Sequence, residues 1–154
     1  MRRLLATIWL LGFLLVSFSV TAATAETTRQ TLESFGFFGT WAVTCERPAA
    51  PENVVRVVYV ASNGQVEFSE TFGENYEPNI YDVLAADIFK RDTLVLRVDL
   101  NGEARQRLTM RRTAGRIRTI TNQDVDDGSF VVRNAMIAET GQATPWLSHC
   151  AKTR

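Results

Sequence analysis

The chain has 154 residues, of which 45% are apolar and 22% are charged. This is the composition of a globular protein with one hydrophobic core, and it argues against disordered, collagen-like and multi-domain architectures. The 17 basic and 17 acidic side chains balance, so the charge gives no indication of a nucleic-acid-binding protein.

The first 25 residues have the three-part pattern of a cleaved secretory signal. Arg2 and Arg3 supply a positive start, residues 4–20 are almost wholly apolar, and residues 23–25 are small. The alternative is a transmembrane anchor, but the small-residue end favours cleavage. We therefore expect cleavage after Ala25, and a periplasmic or secreted bacterial protein without a transmembrane anchor.

The remainder of the chain is expected to form one domain. Residues 26–36 predict a flexible or short helical lead, and residues 37–154 predict a single β-barrel domain.

Two cysteines, Cys45 and Cys150, remain after cleavage. An oxidising compartment favours a disulfide, and one pair allows only one intramolecular connectivity. We therefore predict a Cys45–Cys150 bridge between the N- and C-terminal elements. The alternatives are a bridge between two copies and a pair of free thiols, and the spacing fits neither a CxxC motif nor a metal site.

From residue 37 onward, β-branched and aromatic runs alternate with turn signals, which predicts an all-β fold. About eight consecutive antiparallel strands with short loops favour an up-and-down barrel. The predicted strands cover residues 39–46, 54–61, 65–72, 80–89, 93–100, 104–112, 116–122, and 129–133 followed by 136–140. The tail around Trp146 is expected to pack across one end of the barrel.

Turn residues predict the register of the hairpins. We expect two-residue turns at 63–64 and 114–115, a three-residue loop at 101–103, and a connection at 90–93. The resulting cross-strand pairs are Tyr59 with Phe68, Phe89 with Leu94, Leu96 with Leu108, and Arg112 with Ile117.

This register gives one continuous interior face. Its apolar members are Val55, Val57, Tyr59, Ala61, Val66, Phe68, Phe72, Val83, Ala85, Phe89, Leu94, Leu96, Val98, Leu108, Met110 and Ile117. Its polar members are Glu70, Asp87, Gln106, Arg112, Thr119 and Thr121.

The start of the first strand resembles two families. Gly39-Thr40-Trp41 resembles the Gly-x-Trp opening of lipocalin-like barrels, which implies that Trp41 closes the barrel floor and that a basic residue, with Arg133 as the candidate, covers it. A terminal disulfide onto the barrel is also similar to that family. Residues 38–45 resemble the aromatic-Gly-x-Trp-x-Val-x-Cys opening of the invasion-associated locus B family, another exported β group. Both resemblances concern architecture, because fold does not determine function.

Polar residues on the interior face suggest a ligand site. In a hollow barrel, Arg112 would anchor a carboxylate or phosphate between apolar walls. In a filled barrel, the same polar residues would lie near strand ends at the rim. The predicted ligand-binding residues are Tyr59, Phe68, Glu70, Phe89, Arg112 and Thr119.

Five arginines are predicted to project together from three adjacent strands. The set consists of Arg97, Arg105, Arg107, Arg111 and Arg118. One interpretation is docking on an anionic surface or an envelope protein. The other is a solvated strand face that keeps the sheet soluble.

The remaining polar features indicate neither a metal site nor a catalytic site. Residues 122–129 gather oxygen atoms, but without the spacing of an EF-hand, so a plain turn is favoured over a Ca²⁺ site. His149 has no predicted acid or nucleophile beside it. We expect a non-enzymatic protein without metal or cofactor that binds a small apolar or anionic ligand. The alternative is an envelope interaction or inhibitor protein that uses the arginine face.

Overall fold

The computed structural model describes residues 19–150, so most of the predicted signal segment lies outside the described residues. The described residues form one helix and ten strands. The helix is α1, Ser19–Phe35. The strands are β1 (Gly39–Ala42), β2 (Val55–Val60), β3 (Val66–Thr71), β4 (Asn79–Lys90), β5 (Thr93–Leu100), β6 (Ala104–Thr113), β7 (Arg116–Asp124), β8 (Phe130–Arg133), β9 (Met136–Ile137) and β10 (Leu147–Cys150).

The described strands close into an antiparallel barrel of eight. Strands β1 to β7 pair in chain order, and β10 pairs with both β1 and β7. The prediction of an eight-strand all-β barrel is therefore confirmed. The eighth strand is β10 and not the one expected, because β8 pairs only with the end of β7 and forms a hairpin with β9.

The predicted disulfide is present. Cys45 and Cys150 are bonded, with their Cα atoms 5.4 Å apart across 105 positions of sequence. The bridge links the loop after β1 to the last residue of β10, so it lies beside the seam where the barrel closes.

Helix α1 covers the mouth of the barrel at which β1 begins, which we call the helix mouth. Thr28, Leu32 and Phe35 recur at helical spacing and are buried. The helix ends in a Schellman motif, in which the Phe37 amide donates to the Leu32 carbonyl at 2.9 Å and the Gly36 amide to the Glu33 carbonyl at 2.9 Å. Gly36 adopts a φ of 71°, which favours glycine.

Two predicted registers are confirmed. Leu96 lies opposite Leu108 across the 101–103 loop. Arg112 lies opposite Ile117 across the Ala114-Gly115 turn. Both residues of that turn have positive φ, which matches the twist of tight hairpins.

The predicted register of β2 against β3 is wrong by one residue. The Ala61 amide donates to the Gln65 carbonyl at 2.8 Å, so the loop contains three residues and Gly64, with a φ of 84°, occupies its left-handed position. Val58 therefore lies opposite Phe68, and Tyr59 lies opposite Glu67. The slip moves Arg56 and Val58 to the interior and places Val57 and Tyr59 outside.

The predicted register at the end of β4 is also wrong. Irregularities between Val83 and Ala85 and between Ile88 and Lys90 insert extra residues into this strand. Ile88 rather than Phe89 lies opposite Leu94. Phe89 is 72% exposed, and Asp87 is exposed as well.

The core fills much of the barrel. Leu32, Phe35 and Phe37 from the helix end join Trp41 and the inward side chains of the strands. The Trp41 indole donates to the Phe37 carbonyl at 2.8 Å. The predicted interior residues that are buried are Val66, Phe68, Val83, Leu94, Leu96, Val98, Leu108, Met110, Ile117 and Gln106. Those only partly buried are Val55, Ala61, Glu70, Phe72, Ala85, Thr119, Thr121 and Arg112.

Candidate functional site: a polar cavity at one barrel mouth

A cavity of about 220 Å³ lies at the mouth opposite the helix, where β2 begins and β3 ends; we call it the mouth cavity. Its volume is below the roughly 300–1,000 Å³ of pockets for drug-sized ligands. The wall is mainly apolar. The apolar residues are Val54, Phe72, Leu108, Val131, Val132, Ile137, Pro145 and Leu147.

An ion pair forms the polar side of the mouth cavity. Arg56 and Glu70 lie opposite each other on β2 and β3, and both line the cavity. The Arg56 side chain is 4% exposed and that of Glu70 is 14% exposed. Arg56 Nε donates to Glu70 Oε1 at 2.9 Å, and Nη2 contacts the same oxygen. The two charges therefore neutralise each other inside the barrel.

The rest of the guanidinium is also engaged. Nη1 of Arg56 contacts the Met110 sulfur at 3.2 Å, and Nη2 donates to Thr119 Oγ1 at 3.3 Å. The guanidinium carbon lies 5.2 Å from the centre of the Phe68 ring. These contacts fix the orientation of Arg56 at the cavity.

Tyr81 lies on the other side of Glu70. Its hydroxyl is 3.5 Å from Glu70 Oε2, and its ring stacks on Phe68 with 4.4 Å between the ring centres. Burial, followed by the charge of Glu70, raises the pKa of Tyr81 above its ordinary value. Tyr81 is therefore a neutral hydroxyl donor at physiological pH.

Asn122 is a polar residue of the cavity wall whose hydrogen bonding is incomplete. It is 7% exposed and lines the mouth cavity. Its Nδ2 donates to Gln106 Oε1 at 3.0 Å. Its Oδ1 is buried and has no hydrogen-bond partner among the described residues. Buried oxygens of this kind are normally satisfied by protein, water or ligand.

The structure brings together only part of the predicted ligand set. Glu70 and Thr119 line the mouth cavity. Phe68 is interior, but it packs beside Arg56 and Tyr81. Tyr59 and Phe89 were predicted as interior walls, and this placement is wrong because of the register shifts in β2 and β4.

Arg112 lies at the helix mouth, away from the mouth cavity. Its Nη1 donates to the Phe35 carbonyl, and its guanidinium carbon lies 4.6 Å from the centre of the Phe35 ring. A Cβ added at Gly36 would approach Nη1 to 3.0 Å. A cation here satisfies a carbonyl at the helix C-terminus, so Arg112 holds α1 on the barrel.

Sequence reasoning missed Arg56, Tyr81 and Asn122 as site residues. The assumed two-residue turn at Asn63-Gly64 placed Arg56 outside, so the ion pair with Glu70 was not anticipated. The three-residue loop form, which was already favoured at 101–103, would have placed Arg56 on the same face as Glu70.

Four of the five predicted surface arginines are exposed on the outer face of β5 and β6. Arg97 and Arg107 lie directly opposite each other, and neither has an ion-pair partner among the described residues. Arg105 pairs with Asp126 at 2.7 Å, and Arg111 lies 3.9 Å from Asp92.

Arg118 is partly buried and bound to the chain between β8 and β10. Its Nε donates to Thr144 Oγ1 at 3.0 Å, and Nη2 donates to the Ala135 carbonyl at 3.1 Å. Arg133 does not cover Trp41 as expected, because its guanidinium lies over the Phe130 ring. Trp41 instead packs edge-on against His149, with 4.6 Å between the ring centres.

Residues 122–129 include a tight turn. The Asp124 carboxylate accepts the Asp126 amide at 2.8 Å, and the Asp127 carboxylate accepts the Ser129 amide at 2.7 Å. These oxygens organise the backbone of the turn. Within residues 19–150, no group of three His, Cys, Asp or Glu side chains is arranged as a set of metal ligands.

A wider open groove of about 1440 Å³ follows the outer face of β1 and β2 beside the disulfide. Its floor includes Val57 and Tyr59, which are each 36% exposed. It is larger than the mouth cavity, but it lacks a buried charged pair, so the mouth cavity is the better candidate for a binding site.

Among residues 19–150, no helix is both long enough and apolar enough to cross a membrane. Comparison with protein-family models, curated proteins and solved structures finds no match to this chain. The resemblances to lipocalin-like barrels and to the invasion-associated locus B family therefore stay predictions.

Proposed function

We propose that this chain is an exported barrel protein that acts by binding a small molecule in the mouth cavity, without chemistry of its own. The observation that carries the proposal is the Arg56–Glu70 ion pair at the wall of that cavity. A buried ion pair is rarely more stabilising than apolar side chains of similar volume. Its location beside an apolar cavity therefore supports a role in binding.

The size of the cavity limits the ligand. The helix end and the inward aromatic side chains occupy the barrel on the other side of the ion pair. The remaining 220 Å³ suits a fragment-sized molecule rather than a long lipid chain. A ligand of this size would enter at the mouth where Val131 is 47% exposed.

Native mass spectrometry of the oxidised protein, purified gently from the periplasm, tests this function. We expect a chain that begins at Glu26 and carries an added mass that denaturation releases. Val131→Trp, which fills the mouth from an exposed position, should abolish the added mass. Val125→Trp, at a site that is 53% exposed and not part of the cavity wall, should retain it. An added mass that persists in Val131→Trp, or no added mass in the unaltered protein, contradicts the proposal.

A second candidate function is docking of the arginine face on an anionic membrane surface. Like charges directly opposite each other on neighbouring strands are destabilising, yet Arg97 and Arg107 occupy such a pair without a carboxylate partner in the described part of the chain. An anionic surface would supply the missing counter-charge.

Sedimentation with phosphatidylglycerol vesicles tests this second candidate. We expect binding that weakens steeply between low salt and 0.5 M NaCl, because exposed charges are screened. Arg97→Gln/Arg107→Gln should lose most of the binding, whereas Arg133→Gln, an exposed arginine on β8, should retain it. Binding that is absent or independent of salt contradicts this function.

A further inference from the structure

We propose that the ligand of the mouth cavity is a neutral, fragment-sized molecule with an apolar body and one O–H or N–H donor, which it donates to Asn122 Oδ1. This inference rests on the proposed function, since it specifies the ligand of the same cavity. It departs from the sequence-based expectation of an apolar or anionic ligand.

The charges at the cavity favour a neutral ligand. Arg56 and Glu70 are the charged residues of its described wall, and each is the other's partner. An anion that entered would lose its hydration and meet a guanidinium that Glu70 already neutralises. A cation would meet a carboxylate that Arg56 already neutralises.

The hydrogen-bonding groups favour a ligand that donates. Most donors of the wall already have acceptors. Arg56 uses Nε, Nη1 and Nη2, and Thr144 Oγ1 donates to the Thr119 carbonyl at 2.7 Å. The Tyr81 hydroxyl lies 3.5 Å from Glu70 Oε2, and Asn79 Nδ2 lies 3.5 Å from the Tyr81 hydroxyl. The acceptor Asn122 Oδ1 has no donor in the described chain. An unmet buried acceptor costs free energy that a ligand donor would recover.

The position of this acceptor is fixed by its own side chain. Asn122 Nδ2 donates to Gln106 Oε1, and Gln106 is 5% exposed and does not line the cavity. Asn122 lies opposite Leu108 on β6, and Leu108 belongs to the apolar wall. Side chains directly opposite each other on neighbouring strands lie close together, so a ligand that packs on Leu108 is next to the Asn122 side chain.

Phenol, toluene and benzoate are suitable probes, since they share a six-membered ring. Phenol carries one donor, toluene replaces the hydroxyl by a methyl group, and benzoate carries a negative charge. In calorimetric titration of the oxidised, delipidated full-length mature protein, phenol should bind about tenfold more tightly than toluene, and benzoate should bind more weakly than either.

Asn122→Leu should remove the preference for phenol over toluene, whereas Asn63→Leu, the same change in the exposed loop between β2 and β3, should retain it. In the unaltered protein, the NMR signals of the Asn122 side-chain amide should shift on addition of phenol and stay in place with benzoate. This second readout does not depend on the folding of a variant.

The outcomes separate the two proposals. If phenol and toluene bind equally, or if benzoate binds best, the donor inference is wrong while binding in the cavity stands. If none of the three probes binds to the folded, unaltered protein while native mass spectrometry still shows a releasable added mass, the inference is wrong and the proposed function stands. If the added mass is absent as well, both are contradicted. An unshifted Asn122 amide in the presence of bound phenol also overturns the inference.

Discussion

Three carboxylates lie in one row across the outer face of the barrel. Asp82 on β4 is directly opposite Glu67 on β3 and Asp99 on β5. Desolvation, followed by the charges of Glu67 and Asp99, raises the pKa of Asp82 above its ordinary value. Folding therefore favours the protonated form of Asp82, so its ionised form opposes folding at neutral pH.

We predict that Asp82→Asn raises the melting temperature at pH 7. A carboxyl whose pKa is higher in the folded chain than in the unfolded chain binds more protons when the chain is folded. The destabilisation caused by its ionised form therefore disappears as the pH falls through the folded-state pKa to about 4. The increase in melting temperature should therefore vanish between pH 7 and about pH 4, and thermal unfolding monitored by circular dichroism measures it. A constant gain from pH 7 to pH 4 would contradict the assignment.

Asp127→Asn is a control for which the change in melting temperature should have the opposite sign. The hydrogen bond from Ser129 lowers the pKa of Asp127 below its ordinary value. The stabilisation that the ionised Asp127 carboxylate gives to the folded chain is present above the ordinary carboxyl pKa, and it is lost as the pH falls through the lowered pKa. This variant should therefore lower the melting temperature at pH 7, and the two variants should converge in acid.

The ion pair at the mouth cavity leads to a second prediction about single residues, which concerns the free energy of unfolding. Glu70→Leu leaves the 4%-exposed Arg56 side chain without its carboxylate and should cost about 3–5 kcal/mol of unfolding free energy. Arg56→Met/Glu70→Leu removes both charges and should recover most of that loss. Denaturant unfolding measures both variants, and a single variant that costs under about 1 kcal/mol would show that Arg56 finds other compensation.

Among the elements, helix α1 depends on one arginine from the barrel. Arg112→Ala removes the hydrogen bond to the Phe35 carbonyl and the contact with the Phe35 ring. The expected cost is about 1–2 kcal/mol, while phenol binding at the opposite mouth stays unchanged. Arg111→Ala, which removes an exposed arginine, is the control and should cost at most about 0.5 kcal/mol. Weakened phenol binding in Arg112→Ala would contradict this structural role.

Strand β10 is short, and it closes the barrel between β1 and β7. We predict that Cys45→Ser/Cys150→Ser lowers the unfolding free energy by about 2–4 kcal/mol. The amides of Leu147 and His149 should then exchange faster with solvent than those of Leu96 and Val98 in β5, because the seam opens first. Hydrogen exchange measures this order, and uniform acceleration across the barrel would contradict it.

Two of the three hairpins with turn signals were predictable from the sequence, but the signal at Asn63-Gly64 predicted the wrong loop length. Elements set by distant partners were not predictable. The register of β5, β6 and the start of β7 follows from local turns at 101–103 and Ala114-Gly115. Strand β10 has no neighbour in the sequence to pair with, because its partners begin at Gly39 and Arg116. The bulges of β4 depend on long-range packing that no local pattern reports.

At the scale of the whole molecule, the two barrel mouths have different roles. Helix α1 covers one mouth, which is filled by Leu32 and Phe35 of the helix and by Phe37 directly after it. The other mouth retains a cavity with a neutralised ion pair and an unmet acceptor. Glu70 and Thr119 of this site were predictable from alternation along their strands, whereas Arg56 required the correct loop length between β2 and β3.

Methyl NMR of the oxidised protein during titration with phenol tests the central claim, which is that ligand binds in the mouth cavity. Shifts should concentrate on Leu108, Val132 and Leu147, which line the cavity. The methyl groups of Leu94, in the core, and Val57, on the outer face, should stay in place. Shifts centred on Val57, or saturating binding that leaves the cavity methyl groups unmoved, would contradict the account.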